Sequence, residues 1–140
     1  MDLTTLVQLS AIPVLARSGS GNPEIRGICA DSRQVQEGDL FVAVPGTRVA
    51  GDSFVAEAVA HGAVAVVSER DLPQCTVPCI KTERSRFALG ALAVAFWRLD
   101  VEQTLFIGIT GTNGKTTTAH LFKNICAARF GVDAVWMFGT

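Results

Sequence analysis

The chain has 140 residues, of which 49% are hydrophobic and 18% are charged, a composition that supports a folded core and excludes a disordered chain. Its formal net charge of -1 excludes a broad basic surface for nucleic acid or anionic membranes, so any phosphate binding must be local. No apolar run approaches the roughly 18 residues of a membrane span, and the first residues lack the basic and apolar regions of a signal peptide. We therefore expect a cytoplasmic protein with no nucleic-acid or membrane partner. No protein partner can be inferred from the sequence.

The first eighty residues predict a small mixed α/β domain. Apolar residues at near-helical spacing in Met1–Ala16 predict a short leading helix that ends before a Gly- and Ser-rich stretch. Three strands are predicted, at Ile25–Ala30, Leu40–Val44 and Ala63–Val67. The segment before the last strand has helical spacing and ends at Gly62, with Phe54 and Val55 expected in the core.

A second alternation of helix and strand begins near Thr82. The Ala-rich segment Arg84–Arg98 predicts a helix, and its part from Phe87 to Trp97 is expected to be core. The apolar segment Leu105–Ile109 then predicts a strand, which is followed by a glycine turn, an amphipathic helix and a further predicted strand at Ala134–Phe138. The helix places four apolar residues on one face: Leu121, Phe122, Ile125 and Ala128.

This alternation is the entry to a parallel sheet, so the fold class is α/β with two parts. We predict a domain boundary between a small mixed α/β domain at residues 1–81 and the start of a parallel-sheet domain at residues 82–140. Because the sequence stops directly after a predicted strand, we expect the second domain to be truncated.

The turn after the predicted strand Leu105–Ile109 has the features of a phosphate-binding loop. Its sequence is Thr110-Gly111-Thr112-Asn113-Gly114-Lys115-Thr116-Thr117. The glycines let backbone amides approach an anion, and the helix N-terminus favours negative charge. Lys115 can reach the β- and γ-phosphates, and the hydroxyl of Thr116 can ligate the accompanying magnesium.

The loop departs from the generic phosphate-loop pattern at one position. That pattern has glycine five residues before the glycine of Gly114-Lys115-Thr116, and here the position is Ile109. A plain glycine turn that binds nothing is the alternative interpretation. It explains the glycines, but it leaves the Lys-Thr pair at the helix start unexplained.

The cysteines and histidines do not predict a metal site. Cys75 and Cys79 have a spacing that does not match a zinc module, and Cys29 and Cys126 are far from them in sequence. We expect ordinary reduced cysteines. His61 and His120 are isolated in sequence and are expected to be surface or capping residues.

The string from Gly108 to Thr118 resembles the short phosphate loop of the Mur ligase family, which has its own glycine spacing. The first half of the chain narrows the resemblance. Three segments, Asp31-Ser32-Arg33, Glu37 to Gly46 and His61-Gly62-Ala63, are similar to the uridine-nucleotide-binding domain of UDP-N-acetylmuramoyl-tripeptide synthetases, the MurE type. The Asp-Ser-Arg form favours this branch over the MurF type, which typically shows Asp-Thr-Arg.

The resemblance implies roles for individual residues. Ser32 and the loop Thr47-Arg48-Val49 would contact the UDP moiety of the substrate, and Asn113 would lie where nucleotide and muramyl substrate meet. The ATP phosphates would be bound by Gly111, Thr112, Asn113, Gly114, Lys115, Thr116 and Thr117, with Lys115 also catalytic and Thr116 a magnesium ligand. The loop has Ala50-Gly51 where family members usually carry Asp-Gly. This difference affects the contacts expected of the loop, not the resemblance to the family.

The activity that the resemblance implies is formation of an amide bond with ATP and Mg²⁺ as cofactors. ATP phosphorylates the terminal carboxylate of UDP-MurNAc-L-Ala-D-Glu, and the amine of diaminopimelate or lysine displaces the phosphate. The family's remaining magnesium ligands, its carbamylated lysine and its amino-acid-binding domain would follow residue 140, so we expect the 140-residue chain to be inactive by itself. Two alternatives stay open: a non-catalytic UDP-sugar or nucleotide-binding module, and another ligase of the superfamily, of the MurF or folylpolyglutamate synthase type.

Overall fold

The computed structural model describes residues 1–46, 51–100 and 102–137 of the chain. Thr47, Arg48 and Val49, which were predicted to contact UDP, lie outside the described residues. The chain divides into two compact units, Met1–Gln103 and Thr104–Thr140.

Helix α1, Leu3–Ser10, confirms the predicted leading helix and is capped by Asp2. The Asp2 carboxylate accepts hydrogen bonds from the backbone N–H of Thr5 at 3.0 Å and from its hydroxyl at 2.6 Å. These two bonds and a third from Asn22 hold the pKa of Asp2 well below its ordinary value. The helix ends at Ala11, whose φ of 50° is left-handed.

The first unit contains one five-stranded sheet. Its strands are β1 (Ala16–Ser18), β2 (Gly27–Cys29), β3 (Asp39–Val42), β4 (Ala65–Ser68) and β5 (Cys79–Lys81). The spatial order is β1-β5-β4-β3-β2; β2 to β5 are parallel, and β1 runs antiparallel to β5 at one edge. A mixed α/β fold with a mainly parallel sheet is therefore confirmed, whereas β1 and β5 were not predicted.

Strands β3 and β4 are buried on both faces of the sheet: their successive residues point to opposite sides, and every residue of Leu40–Val42 and Ala65–Val67 is buried. Leu40 and Val42 belong to one core cluster together with Leu3 of α1 and Leu92 of α3, the helix Ser85–Phe96. Phe41 belongs to a second cluster on the other face, which includes residues of α2, the helix Val55–Ala60. The unit is thus a sheet between helices.

Helix α3 belongs to the first compact unit, whereas the sequence led us to expect a boundary after Lys81. It does so because Ala88 and Leu92 are fully buried in the core cluster that also contains α1 residues. The expectation that the whole segment Phe87–Trp97 is core was wrong. Phe87 is 58% exposed and Trp97 is 54% exposed, since a helix packed against one layer buries a single stripe of side chains.

Helix α2, which precedes β4, largely matches prediction. Val55 is buried, as expected, but its neighbour Phe54 is 41% exposed. Gly62 follows α2 with a φ of +111°, which confirms the predicted helix end. A Cβ there would lie 2.8 Å from the Cα of Glu37, so both the conformation and the space require glycine.

The second unit consists mainly of helix α4, Lys115–Phe130, followed by a 3-10 turn at Val132–Ala134. The strand predicted at Leu105–Ile109 is not formed, and the described part of Ala134–Phe138 is not a strand either. A strand requires a hydrogen-bonded neighbour, and neither segment is paired in the described residues. The apolar side chains predicted on one helix face are exposed, with Leu121 at 60% and Ile125 at 68%.

The cysteines agree with the expectation of ordinary reduced thiols. All four cysteines are free, and burial raises the pKa of the Cys79 thiol to about 12. Within residues 1–46, 51–100 and 102–137, no helix combines the length and apolar character needed to cross a bilayer.

We expect Phe41→Ala to lower the free energy of unfolding by about 3 to 5 kcal/mol, because the side chain is 1% exposed and its removal leaves a cavity. Phe87→Ala is the matched control, since that phenylalanine is 58% exposed, and its effect should stay within about 0.5 kcal/mol. Urea denaturation followed by circular dichroism measures both. Equal effects of the two substitutions would contradict the assignment of the second core cluster.

Candidate functional site

The phosphate-type loop lies in the second unit and leads directly into α4. Gly111 and Gly114 have φ values of +151° and +75°, which L side chains rarely adopt. Gly114 is also the N-cap of α4, and no side chain caps this helix end. A sixteen-residue helix therefore begins at an uncapped glycine turn, an arrangement that can present backbone amides to an anion.

Lys115 is the first residue of α4, and its ammonium group lies over the loop. Its Nζ donates to the carbonyl oxygen of Gly111 at 2.6 Å and approaches that of Thr112 at 3.5 Å. The residue is exposed, so the ammonium can exchange these carbonyl oxygens for phosphate oxygens without unpacking a core. The role of Lys115 in binding phosphate stays a prediction.

The other residues predicted to bind ATP are close to Lys115 in the sequence. Thr112 and Asn113 lie in the turn, Thr116 and Thr117 lie in the first turn of α4, and all four are exposed. In such loops the ammonium group and the backbone amides donate to the phosphates of a nucleoside triphosphate, and a hydroxyl ligates the accompanying Mg²⁺. Among the described residues, no group of three or more His, Cys, Asp or Glu could hold a metal ion.

A second polar cluster lies in the first unit, directly after β2. Asp31 caps a 3-10 turn, Ser32–Gln34, by accepting from the backbone N–H of Arg33 at 3.1 Å. The Arg33 guanidinium folds back onto the same carboxylate with contacts of 2.9 and 2.7 Å. The side-chain hydrogen bond from Arg33, and then its backbone hydrogen bond, lower the pKa of the Asp31 carboxyl to about 2.

Ser32 is 5% exposed and is held by two residues of the α2 segment. Its hydroxyl donates to the carboxylate of Glu57. Its backbone carbonyl oxygen lies 2.7 Å from Nδ1 of His61, the residue at the C-cap of α2. We call Ser32, Glu57 and His61 the serine clamp.

The contact of Glu57 with Ser32 was not predicted from the sequence. The available signal was the i, i+4 spacing of Glu57 and His61, which puts the two on one side of α2. That spacing does not reveal which loop they contact, because the contacts span 25 and 29 residues along the chain. His61 does take the capping position expected for it, and it also contacts Ser32.

These features define a class: a mixed α/β protein with a phosphate-type loop at the start of a helix. Comparison with known proteins makes the class specific. The model of the Mur ligase family, catalytic domain, matches residues 24–97, which is more than half of the chain. The chain belongs to the Mur ligase family.

Individual relatives carry more specific names. The UDP-N-acetylmuramoyl-L-alanyl-D-glutamate--2,6-diaminopimelate ligase of Geobacillus thermodenitrificans is 41% identical over the whole chain, which spans 28% of that relative. A crystal structure of MurF from Acinetobacter baumannii superimposes with a TM-score of 0.69 at 29% identity, covering 91% of this chain and 27% of that one. A MurF ligase from Thermotoga maritima in complex with ADP gives a TM-score of 0.57 at 33% identity, covering 74% and 24%. The chain thus spans about a quarter of the length of these proteins.

We expect the carboxyl group of Asp31 to titrate near pH 2 and that of an Arg33→Gln variant to titrate nearer 3.8. Because the folded pKa is lowered, the stabilisation is present above pH 3.8 and is lost as the pH falls towards 2. Carboxyl-carbon NMR over pH 1.5 to 6 measures both values. Arg70→Gln is the control, since Arg70 is similarly exposed but pairs with Asp52; an Asp31 that titrates at 3.8 in the unsubstituted chain would contradict the described contact.

Proposed function

We propose that this chain carries the UDP-binding and ATP-phosphate-binding parts of an ATP-dependent ligase. The ligase adds diaminopimelate to UDP-N-acetylmuramoyl-L-alanyl-D-glutamate in the cytoplasmic synthesis of peptidoglycan precursors. The observation that carries the proposal is the Lys115 loop at the uncapped start of α4. The proposal is supported by the alignment of the whole chain, at 41% identity, with a protein named for this activity.

In this proposal the second unit binds the triphosphate of ATP, which supplies the phosphoryl group for the substrate carboxylate. Lys115 leaves the carbonyl oxygens of Gly111 and Thr112 and donates to the β- and γ-phosphates. The amides at the start of α4 would add hydrogen bonds, and the hydroxyl of Thr116 would hold Mg²⁺, which would neutralise part of the phosphate charge. These donors would contact the triphosphate before the phosphoryl group moves, so they would stabilise the charge that develops on that group.

The first unit binds the UDP moiety of the substrate in this proposal. Ser32 is the described residue assigned to that contact, together with Thr47, Arg48 and Val49, and Asn113 is assigned to the junction of nucleotide and muramyl substrate. The serine clamp supports the assignment of Ser32, because it holds one hydroxyl in a fixed position directly after β2. A neutral hydroxyl can recognise a nucleoside without net charge.

A MurF-type ligase is the second candidate, and one observation favours it. The crystal structure of MurF from Acinetobacter baumannii superimposes on 91% of this chain with a TM-score of 0.69. Its sequence identity of 29% is lower than the 41% found with the diaminopimelate ligase. Because the fold is shared between the two types, sequence identity discriminates better, and it favours the diaminopimelate ligase.

We expect Lys115→Ala to weaken binding of Mg²⁺-ATP to the 140-residue chain by about tenfold to a hundredfold. The lost interaction is a charge-assisted hydrogen bond to phosphate, worth about 1.5 to 3 kcal/mol. Isothermal titration calorimetry measures the affinity, and a thermal melt checks the fold. The melting temperature should be unchanged because Lys115 is exposed.

Lys123→Ala is the matched control for this experiment. It removes the same charge from the same helix, two turns further on, so long-range charge effects are reproduced without the loop contact. ATP affinity that falls equally in both variants, or a melting temperature that drops only in Lys115→Ala, would assign Lys115 a structural role instead.

We expect the 140-residue chain alone to release no phosphate from ATP in the presence of UDP-N-acetylmuramoyl-L-alanyl-D-glutamate and diaminopimelate. The reason is that the chain spans only 28% of the length of the relative that is named for this activity. A coupled phosphate-release assay with a sensitivity of about one turnover per hour is sufficient. Release that requires both ATP and the UDP-linked dipeptide would contradict this expectation.

A further inference from the structure

We propose that Glu57 is a positioning residue that fixes the Ser32 hydroxyl as a hydrogen-bond acceptor for the nucleoside of a bound uridine nucleotide. The inference rests on the proposed function, because it takes Ser32 to be a contact of UDP. It adds a residue, Glu57, that does not itself touch the ligand.

The first step is the direction of the hydrogen bond between Ser32 and Glu57. A serine hydroxyl has one proton and two lone pairs, whereas a carboxylate has only acceptor oxygens. The proton of Ser32 is therefore directed to Glu57. The hydroxyl oxygen keeps its acceptor capacity, so any further partner of Ser32 must bring a donor.

The second step is that the backbone of Ser32 is fixed as well. Its carbonyl oxygen can only accept, so the contact of 2.7 Å with Nδ1 of His61 places a proton on that nitrogen. The next backbone N–H, that of Arg33, donates to the Asp31 carboxylate. Since Ser32 is also 5% exposed, its hydroxyl has little freedom to reorient towards a ligand.

The third step concerns the chemistry of UDP. Its pyrophosphate oxygens are acceptors at neutral pH, so they cannot satisfy a hydroxyl whose proton is already committed. The negative charge of Glu57 next to Ser32 further disfavours a phosphate at this point. The nucleoside does offer donors, namely N3–H of uracil and the ribose hydroxyls. Ser32 therefore recognises the uridine end of the ligand.

Calorimetry of UDP binding to the 140-residue chain tests this inference with four variants. Ser32→Ala and Glu57→Ala should each weaken binding by about tenfold, the loss typical of one oriented hydrogen bond. Glu57→Gln should stay within about threefold of the unsubstituted chain, because an amide oxygen can still accept from Ser32. Glu24→Ala removes the same charge from an exposed glutamate that contacts the chain amino terminus and should leave the affinity unchanged.

Two further measurements separate positioning from a merely structural role. The double variant Ser32→Ala with Glu57→Ala should bind no more weakly than Ser32→Ala, because Glu57 acts only through that hydroxyl. The affinity loss caused by Ser32→Ala should also disappear for one analogue that lacks a donor, either 2′-deoxy-UDP or N3-methyl-UDP. This second measurement does not depend on the folding of any Glu57 variant.

The outcomes distinguish the inference from the proposed function. UDP that fails to bind the unsubstituted chain contradicts the proposed function, and the inference fails with it. UDP that binds normally to Glu57→Ala overturns the inference alone, as do additive losses in the double variant. A Ser32→Ala loss that is equally large for UDP and for both analogues also overturns it, because Ser32 would then contact neither nucleoside donor.

Discussion

Burial of β3 and β4 on both faces is the constraint on which the first unit depends. Every residue of Leu40–Val42 and of Ala65–Val67 is at most 1% exposed, and such strands are stable only when helices cover both sides of the sheet. The chain meets this requirement with α1 and α3 on one face and α2 on the other. Each crossover must then leave the sheet, pass over one face and return, and the segment Asp31–Gly38 is one such crossover.

This constraint explains how a polar cluster can be rigid in a loop. Helix α2 is held by Val55 and Ala58 in the core, and from that anchored position Glu57 and His61 reach the crossover after β2. The backbone closes the arrangement, because the N–H of Gly38 donates to the carbonyl of Gly62 at 3.0 Å. The second unit works differently, because its loop geometry comes from two glycines and a helix start rather than from a buried core.

The sequence predicted strands β2, β3 and β4 of the first unit and missed β1 and β5. Strands β3 and β4 were visible because uniformly apolar, β-branched runs are typical of strands buried on both sides. Strand β1 was missed because its residues are all exposed and it follows no alternating pattern. The strand predicted at Leu105–Ile109 was wrong for a related reason: apolar composition indicates a preference, whereas a strand also needs a paired neighbour.

In the candidate site, features formed by neighbouring residues were predicted, whereas contacts between residues distant in sequence were not. The Gly111 to Thr117 loop was predicted from consecutive residues, and Gly111 and Gly114 have positive φ values. The bond between Ser32 and Glu57 was not predicted, since it depends on tertiary packing across 25 residues. Likewise, Phe87 and Trp97 were expected in the core because composition cannot show which stripe of α3 faces the sheet.

The central proposal is that the chain has two nucleotide sites of different chemistry, one in each unit. Mapping of backbone amide shifts by NMR, with UDP and Mg²⁺-ADP added separately to the 140-residue chain, tests this most directly. We expect UDP to shift the amides around Ser32 and Mg²⁺-ADP to shift those from Gly111 to Thr118. Both nucleotides perturbing one common set of amides, or neither perturbing any, would contradict it.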